Sequence, residues 1–282
     1  MIFAKKSFGQ HFLRDQSVLD KIVAAADIGP HDIVVEIGPG RGALTERLAD
    51  VGERLILIEA DRELIPDLES RFPKATIINA DAAHVDYSKL MTQSRSPSAR
   101  PEQRRRGGEG GKGASRYAWI LVGNLPYNAG NAIIRQALTS TNPPQRQIVM
   151  LQREVGEKML AKPGDMSILS VAVQMYADVK RIATVKPGAF VPPPKVDSVI
   201  LLLTPNQPFA SAQGRSPNPE AVIGLAKLAF AHKRKQMHRT LAEAGIGSSE
   251  TIKAKLLAMG LPEQARPEEL SVHQWIVLEK QD

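Results

Sequence analysis

The stretch DIVVEIGPGRG at residues 32–42 gives the clearest indication of how this chain folds. Its first half is a short apolar run rich in β-branched residues, which is typical of a buried strand. The three glycines in its second half permit a tight turn, and Leu44 and Leu48 then follow with helical spacing. A strand, a glycine turn and a helix in this order indicate the first unit of a doubly wound α/β fold, in which a ligand approaches the turn.

Further apolar runs along the chain continue this alternation of strand and helix. The predicted strands span residues 54–59, 75–81, 118–124, 147–151 and 196–203. Because a strand in a parallel sheet is buried on both faces, it reads as a continuous apolar run rather than as an alternating pattern. The sequence therefore predicts a Rossmann-like α/β domain over residues 1–204.

The rest of the chain differs in composition, which predicts a second and smaller domain. Residues 205–220 are rich in proline, serine and asparagine and are typical of a linker. From residue 221 to residue 282 the pattern is helical, with breaks near Gly245, Gly247 and Gly260. We therefore expect a small all-α C-terminal domain.

Residues 93–115 interrupt the α/β pattern with serine, proline, glycine and arginine and very few apolar side chains. Such a segment cannot bury enough surface to offset its ordering entropy, so we expect a disordered insertion. Between residues 92 and 116 seven basic residues face two acidic ones, which accounts for most of the net charge of +7. The charge of the whole chain is therefore only a weak indication of a nucleic-acid partner. A loop of this length either has a function or is tolerated, and we favour the second interpretation.

The composition of the 282 residues excludes several classes of function. Cysteine is absent, which excludes disulfides, zinc–thiolate sites, iron–sulfur clusters and a cysteine nucleophile. No run approaches the roughly 18–20 apolar residues that span a bilayer, and the first residues lack the apolar stretch of a signal peptide. We expect a cytoplasmic monomer with no metal and no membrane partner.

Three successive predicted strands end in residues suited to an adenosine-containing cofactor. They end at Gly38, Glu59 and Asp81, and the carboxyl ends of parallel strands form the edge at which ligands bind. A carboxylate at Glu59 can accept both ribose hydroxyls, and Asp81 can accept a hydrogen bond from an adenine amino group. The glycine spacing departs from the dinucleotide pattern, and no hydride-transfer constellation is present, which disfavours a nicotinamide-dependent dehydrogenase.

Glu36 lies inside the first strand, where a charge needs a partner. Its carboxylate could hold the glycine turn through backbone N–H groups, or it could orient the amino-acid end of the cofactor. Both interpretations remain open from the sequence.

The fourth strand ends in Asn124-Leu125-Pro126-Tyr127, which suits methylation of a planar amine. The lone pair of such an amine is delocalised, so two acceptors must hold its N–H groups and direct the lone pair at a methyl carbon. The Asn124 side-chain oxygen and the Leu125 carbonyl can be these acceptors, and Pro126 biases Leu125 toward an extended conformation. Tyr127 offers a ring on which an extruded base can stack. The proton can leave after attack, so no general base is required.

Four motifs in this order, and a basic segment near the C-terminus, identify a family. They are KSFGQHFL at 6–13, EIGPG at 36–40, GNLPYN at 123–128, FVPPPKVDS at 190–198 and FAHKRKQ at 230–236. Together they closely resemble the rRNA adenine N6-dimethyltransferases, and best of all the bacterial enzymes that dimethylate two adjacent adenosines in a 3′-terminal hairpin loop of 16S rRNA. The resemblance covers nearly the whole chain apart from 93–115. It implies a class I methyltransferase sheet, S-adenosylmethionine as the methyl donor, and the immature small ribosomal subunit as the partner.

The resemblance also implies roles for single residues. His11 and Leu13 would help to close the cofactor site, and many members have asparagine at the position of His11. Gly38, Glu59, Asp81 and Asn124 match the S-adenosylmethionine contacts of the family. Phe190 matches an aromatic residue that packs on the target base opposite Tyr127, although the apolar strand after it makes a place in the core the alternative.

The basic segment near the C-terminus looks like the family's basic helix. Its residues Lys233, Arg234 and Lys235, together with Arg239, suit contacts with RNA phosphates. Such contacts give affinity and salt dependence rather than sequence choice. A solvated helix face is the alternative interpretation.

Two other functions share much of this pattern. A large-subunit rRNA adenine methyltransferase of the macrolide-resistance type has the same fold and related chemistry, but the FVPPPKVDS motif and the full helical tail favour the small-subunit enzyme. A ribosome-assembly factor that has lost catalysis is a different class, and intact Glu59, Asp81 and Asn124 argue against it.

Deletion of residues 93–115 tests whether the insertion is peripheral. We expect the Kd for S-adenosylmethionine, measured by calorimetric titration, to change by less than about twofold, because long surface insertions are well tolerated. Loss of cofactor binding in the deletion variant would show that the insertion contributes to the site.

Overall fold

The computed structural model describes residues 10–51, 54–93, 118–127, 129–206, 217–232 and 235–280. The predicted insertion at 93–115 falls almost entirely outside the described residues, and the prediction about it therefore remains open. The chain divides into two compact units, of which the first contains Met1–Arg153 and Arg181–Pro205. The second contains Glu154–Lys180 and Asn206–Asp282, so the structure groups 154–180 with the C-terminal helices rather than with the predicted α/β domain.

Nine strands are present among the described residues. They are β1 (Phe12–Leu13), β2 (Ile33–Ile37), β3 (Arg54–Glu59), β4 (Thr76–Asn79), β5 (Trp119–Asn124), β6 (Arg146–Gln152), β7 (Ala177–Val185), β8 (Phe190–Val191) and β9 (Ser198–Pro205). Seven of them form one sheet in the order β4-β3-β2-β5-β6-β9-β7. The pairs from β4 to β6 are parallel, whereas β9 runs antiparallel to β6. The predicted α/β fold with a mostly parallel sheet is confirmed.

The helices follow the strands in the alternating order that the sequence predicts. They are α1 (Gln16–Ala26), α2 (Thr45–Leu48), α3 (Ile65–Arg71), α4 (Tyr87–Gln93), α5 (Gly130–Leu138), α6 (Arg153–Leu160), α7 (Ile168–Gln174), α8 (Pro219–Phe230), α9 (Met237–Glu243), α10 (Ser249–Ala258) and α11 (Val272–Glu279). In the C-terminal part, Gly245, Gly247 and Gly260 adopt positive φ between the helices, at the predicted breaks. Within the described ranges, no helix combines the length and the apolar character needed to cross a membrane.

Three strands were not predicted, and each for a physical reason. β1 and β8 have two residues each, which is too short for a pattern of hydrophobicity, and they pair antiparallel with each other. β7 is the edge strand of the large sheet and is largely exposed, so its sequence contains Lys180 and Arg181 instead of a continuous apolar run.

The central strand β2 is buried along its whole length between β3 and β5. Its residue Glu36 therefore lies opposite Leu57 of β3 and Val122 of β5, in the interior of the sheet. Burial of each aliphatic side chain here contributes about 1.5–3 kcal/mol to the free energy of folding, which strongly favours this arrangement of the strands. The carboxyl ends of these three strands are consequently fixed with respect to one another.

Gly123 permits an unusually close approach of β5 to β2 near their carboxyl ends. A Cβ atom on this residue would lie 2.7 Å from the carbonyl oxygen of Ile37 and 3.1 Å from its Cβ. A side chain at this position would push apart the strand ends that carry the glycine turn and Asn124. The glycine at 123 is therefore a packing requirement of the site as well as of the sheet.

Gly123→Ala should lower the free energy of unfolding by about 1–3 kcal/mol, because the added methyl group meets backbone and cannot be accommodated by a side-chain movement. The measurement is urea unfolding followed by circular dichroism. Gly224→Ala in α8 is the matched control, since a Cβ there meets no atom within 4 Å. The control should be neutral or stabilising by up to about 1 kcal/mol, the difference in helix propensity. Equal stability of the two variants would contradict the close approach at Gly123.

Candidate functional site

A cavity lies at the carboxyl ends of β2, β3 and β5, next to the end of β4. Its lining includes the sequence-predicted residues His11, Gly38, Glu59, Asp81, Asn124, Leu125, Pro126 and Tyr127. Gln10, Phe12 and Gly40 also line it and were not predicted. The structure therefore brings most of the predicted site together from five separate parts of the chain.

The glycine turn is shaped by backbone conformations that favour glycine. Gly38 has a φ of 64° and Gly40 a φ of 57°, both in the left-handed region. The ring of Phe12 lies 3.0 Å from where a Cβ of Gly40 would be. A side chain at residue 40 would thus be strained and would collide with the N-terminal segment that covers the turn.

Glu59 holds the glycine turn from the neighbouring strand. One carboxylate oxygen accepts a hydrogen bond from the Gly40 N–H at 3.0 Å, and the other accepts one from the Asp61 N–H at 2.9 Å. Burial raises the pKa of Glu59, and these two backbone donors act against that rise. Each oxygen has a second lone pair, so the carboxylate retains capacity for the predicted ribose hydroxyls.

Asp81 lies after β4, at the start of a short 3₁₀ helix, Ala82–His84. Its carboxylate accepts a hydrogen bond from the Ala83 N–H at 2.9 Å and pairs with Nδ1 of His84 at 3.1 Å. The side chain is 57% exposed, so it lines the cavity while capping the helix. The predicted contact with an adenine amino group is compatible with this position and stays a prediction.

Glu36 has a partner that the sequence analysis did not identify. Its carboxyl group accepts a hydrogen bond at 2.7 Å from the hydroxyl of Thr45, the first residue of α2. The side chain is 2% exposed, and burial raises the pKa of Glu36 to about 8. Glu36 is therefore mostly protonated at neutral pH and connects β2 to α2 across the glycine turn. Neither of the two interpretations left open from the sequence describes this contact.

Asn124 ends β5 with its side chain held in one orientation. Its Nδ2 donates a hydrogen bond at 3.0 Å to the backbone carbonyl of His11. Because a carbonyl only accepts, the amide nitrogen must face it, and the amide oxygen points the other way. The next residues form a tight turn, in which the carbonyl of Pro126 accepts hydrogen bonds from the N–H groups of Ala129 and Gly130 at the start of α5.

Tyr127 is half-buried in the same turn and contacts residues from both ends of the domain. Its hydroxyl lies 3.5 Å from the hydroxyl of Ser198, and its ring centroid lies 5.6 Å from that of His11, with an interplanar angle of 30°. Nδ1 of His11 lies 2.8 Å from the carbonyl oxygen of Pro192. The N-terminal segment, the Asn124–Tyr127 turn and the proline-rich loop at residues 192–197, between β8 and β9, thus meet at His11.

Leu13 and Phe190 do not line the cavity. They are paired in the small sheet formed by β1 and β8, and both side chains belong to the main hydrophobic core. Phe190 is 2% exposed, which matches the core role weighed as the alternative. A role of Phe190 on the target base or of Leu13 at the cofactor would require the β1–β8 region to move, and both roles remain predictions.

After Phe230, the described residues of the basic segment near the C-terminus are not helical. α8 ends at Phe230 and α9 begins at Met237, so His232 and Lys235 lie in the connection between them. Lys233 and Arg234 fall outside the described residues. Lys235 forms an ion pair with Glu243 at 3.1 Å, and Arg239 is exposed on α9. Within the described ranges, no group of three potential ligands is placed to hold a metal ion.

The sequence of the chain is similar to a family of known enzymes. A model of the family described as ribosomal RNA adenine dimethylase matches residues 2–280. A relative from Synechococcus elongatus named ribosomal RNA small subunit methyltransferase A is 36% identical over 285 residues, covering 98% of this chain and 94% of the relative. A relative with the same name from Syntrophotalea carbinolica is 37% identical over 276 residues, covering 96% and 94%.

Two solved structures have a similar fold. A dimethyladenosine transferase from Plasmodium falciparum gives a TM-score of 0.70 at 23% identity, covering 95% of this chain and 96% of that one. The 23S rRNA methyltransferase ErmE gives a TM-score of 0.68 at 24% identity, covering 95% and 98%. At these identities the likeness concerns the fold alone.

Glu36→Gln tests the protonation of this buried carboxyl group. Because its pKa rises from 4.5 in the unfolded chain to about 8 in the fold, the folded state binds more protons between these values. Its contribution to stability therefore falls as the pH rises through this window, by up to about 1.4 kcal/mol per pH unit. We expect the variant to match the wild type in urea unfolding at about pH 5 and to become progressively more stable than it toward about pH 7.5.

The exposed Glu69 on α3 provides the control, since Glu69→Gln removes a carboxylate without changing a buried group. A difference between wild type and Glu36→Gln that is the same at all pH values would contradict a neutral Glu36.

Proposed function

The chain belongs to the ribosomal RNA adenine dimethylase family, and we propose that it dimethylates N6 of two adjacent adenosines in the 3′-terminal hairpin loop of 16S rRNA with S-adenosylmethionine as the donor. The observation that carries the proposal is the fixed orientation of the Asn124 amide at the edge of the cavity. The substrate and the biological setting, small-subunit biogenesis, are inferred from the names of the relatives and from the family resemblance of the motifs in this chain.

The residues that line the cavity fit S-adenosylmethionine. Glu59 is fixed by two backbone donors and keeps acceptor capacity for vicinal hydroxyls, and Asp81 offers an accessible carboxylate for an amino group. Gly38 and Gly40 let the backbone of the turn approach a ligand closely. We assign the adenosine part to Glu59 and Asp81 and the amino-acid part to the glycine turn. When bound, the cofactor supplies an electrophilic methyl group.

The Asn124–Tyr127 turn can prepare an aromatic amine for attack. Because the amide nitrogen of Asn124 donates to the His11 carbonyl, its amide oxygen is left to accept one N–H of the amine. The backbone carbonyl of Leu125 can accept the other N–H. Two acceptors fix the plane of the N–H bonds, so the lone pair is directed out of the ring plane. This is the geometry that attack on a methyl carbon requires, and holding reacting groups in such a geometry greatly accelerates a reaction.

Tyr127 can bind the base that carries the amine. An adenine inside an RNA hairpin must leave its stack before its amino group can reach the strand ends, and an aromatic ring compensates part of the lost stacking. Stacking on a ring contributes about 1–3 kcal/mol per base. The same ring face favours positive charge, which develops on the nitrogen as the new bond forms.

The small-subunit substrate is favoured over the large-subunit one. The relatives at 36% and 37% identity are named small-subunit methyltransferases, whereas the resemblance to ErmE at 24% identity extends to the fold only. We further propose a cytoplasmic monomer that contacts RNA phosphates through the basic segment 233–235 and Arg239. The ion pair of Lys235 with Glu243 does not prevent this, because an exposed ion pair contributes only about 0–1 kcal/mol.

The substrate is tested with labelled S-adenosylmethionine and two acceptors, immature small subunits and large-subunit rRNA. We expect label in the 16S rRNA of the small subunits, at N6 of adenosine after nuclease digestion. Label in the large-subunit rRNA alone would refute the proposal in favour of the macrolide-resistance type. Label in neither acceptor, with the cofactor bound, would favour an assembly factor without catalysis.

The chemistry is tested with Asn124→Ala at saturating cofactor. We expect kcat on immature small subunits to fall by about 100-fold, because the amine loses an acceptor that is fixed in the transition state. Asn206→Ala is the matched control, since the Asn206 side chain also donates to a backbone carbonyl, that of Gln174 at 2.8 Å, in the second unit. An unchanged kcat in Asn124→Ala would show that the proposed chemistry is wrong.

A further inference from the structure

His11 contacts three parts of the candidate site at once. Its backbone carbonyl accepts the hydrogen bond from Nδ2 of Asn124 at 3.0 Å. Its ring nitrogen Nδ1 lies 2.8 Å from the carbonyl oxygen of Pro192, and its ring lies against that of Tyr127 at a centroid distance of 5.6 Å. The acceptor amide, the aromatic ring and the proline-rich loop are thereby connected through a single residue.

The contact with Pro192 fixes the His11 ring. A backbone carbonyl can only accept, so Nδ1 must carry the hydrogen and donate it. This hydrogen bond limits rotation of the ring about its bond to the rest of the side chain. The face that His11 presents to Tyr127 is therefore determined by the position of the proline-rich loop.

The distance between the two rings shows how His11 can act. A base sandwiched between two rings needs about 7 Å between them, because each carbon–carbon contact takes about 3.5 Å. The observed 5.6 Å is too short for an intervening base and lies within the range of direct aromatic contact. In this arrangement the ring of His11 supports Tyr127 and cannot pack on the opposite face of a bound base. Phe190, the other aromatic residue considered for that face, is buried in the core.

We propose that His11 is a positioning residue for methyl transfer: it sets the orientation of Tyr127 through its ring and that of Asn124 through its carbonyl. This inference rests on the proposed function and goes beyond the expected part of His11 in closing the cofactor site. It assigns to His11 an effect on the orientation of the target adenine, and hence on kcat, that is larger than its effect on cofactor affinity.

Two substitutions separate the ring of His11 from its hydrogen bond. His11→Phe keeps a ring beside Tyr127 and loses the donor to Pro192, whereas His11→Asn keeps an N–H donor and loses the ring. His273→Ala, an exposed histidine on α11, is the control for loss of a histidine elsewhere. Each protein is checked for folding by circular dichroism at the assay temperature. The cofactor Kd is then measured by calorimetric titration, and kcat on immature small subunits at saturating cofactor.

Although many family members have asparagine at this position, we expect His11→Asn to lower kcat by about 10-fold in this chain, because Tyr127 here loses the ring that supports it. His11→Phe should restore a large part of that loss, since the ring again supports Tyr127. The cofactor Kd should change by less than about threefold in both variants, which corresponds to a small fraction of the binding free energy. The control should behave as the wild type.

Three results would overturn the inference. The first is an unchanged kcat in His11→Asn, and the second is a rise in cofactor Kd as large as the fall in kcat, which would make His11 a cofactor-binding residue only. The third is a loss in His11→Asn that His11→Phe does not reduce at all, which would exclude support by the ring. A wild-type protein that binds the cofactor and methylates no rRNA would instead refute the proposed function, and with it this inference.

Discussion

The close approach of β5 to β2 at Gly123 is the constraint on which the site depends. A Cβ at this position would lie 2.7 Å from the Ile37 carbonyl, so only glycine allows the two strand ends to lie side by side. One of these ends continues into the glycine turn and the other into Asn124. The space above Gly38 is accordingly limited by the carbonyl of Asn124, 3.8 Å from where a Cβ would be. The glycine turn and Asn124, to which we assign the cofactor and the amine, therefore lie next to each other because residue 123 has no side chain.

The second requirement is that the N-terminal segment covers these strand ends. Phe12 packs over Gly40, Gln10 donates to Asp61 at 3.1 Å, and the carbonyl of His11 receives the Asn124 amide. These contacts involve residues on both sides of the cavity, so the proposed cofactor site and the proposed base site share one structural element. The β1–β8 pairing holds the end of this segment by placing Leu13 beside Phe190 in the core.

The sequence predicted those features that depend on local patterns. Buried parallel strands read as continuous apolar runs, so the strand ends that carry Glu59 and Asn124 were placed correctly. The contact of His11 with Pro192 joins residues 181 positions apart, and no local pattern could reveal it. The burial of Phe190 follows from a two-residue strand that is invisible to periodicity. The partner of Glu36 was equally hidden, since a threonine nine positions later in a helix has no recognisable signature.

Glu36 and Glu59 are buried acids on neighbouring strands, and they differ in their partners. Burial raises the pKa of each, but Glu59 receives two backbone N–H groups that stabilise its charge, whereas Glu36 receives one hydroxyl and also faces the charge of Glu59. The charge of buried Asp61 also raises the pKa of Glu59, so a neutral Glu36 avoids adding a further buried charge to this region. It can therefore serve as a hydrogen-bonding connection between β2 and α2, while Glu59 remains available as an acceptor at the cavity. Two glutamates on neighbouring strands thus differ in place and partner: Glu36 joins two elements of the fold, whereas Glu59 lines the cavity.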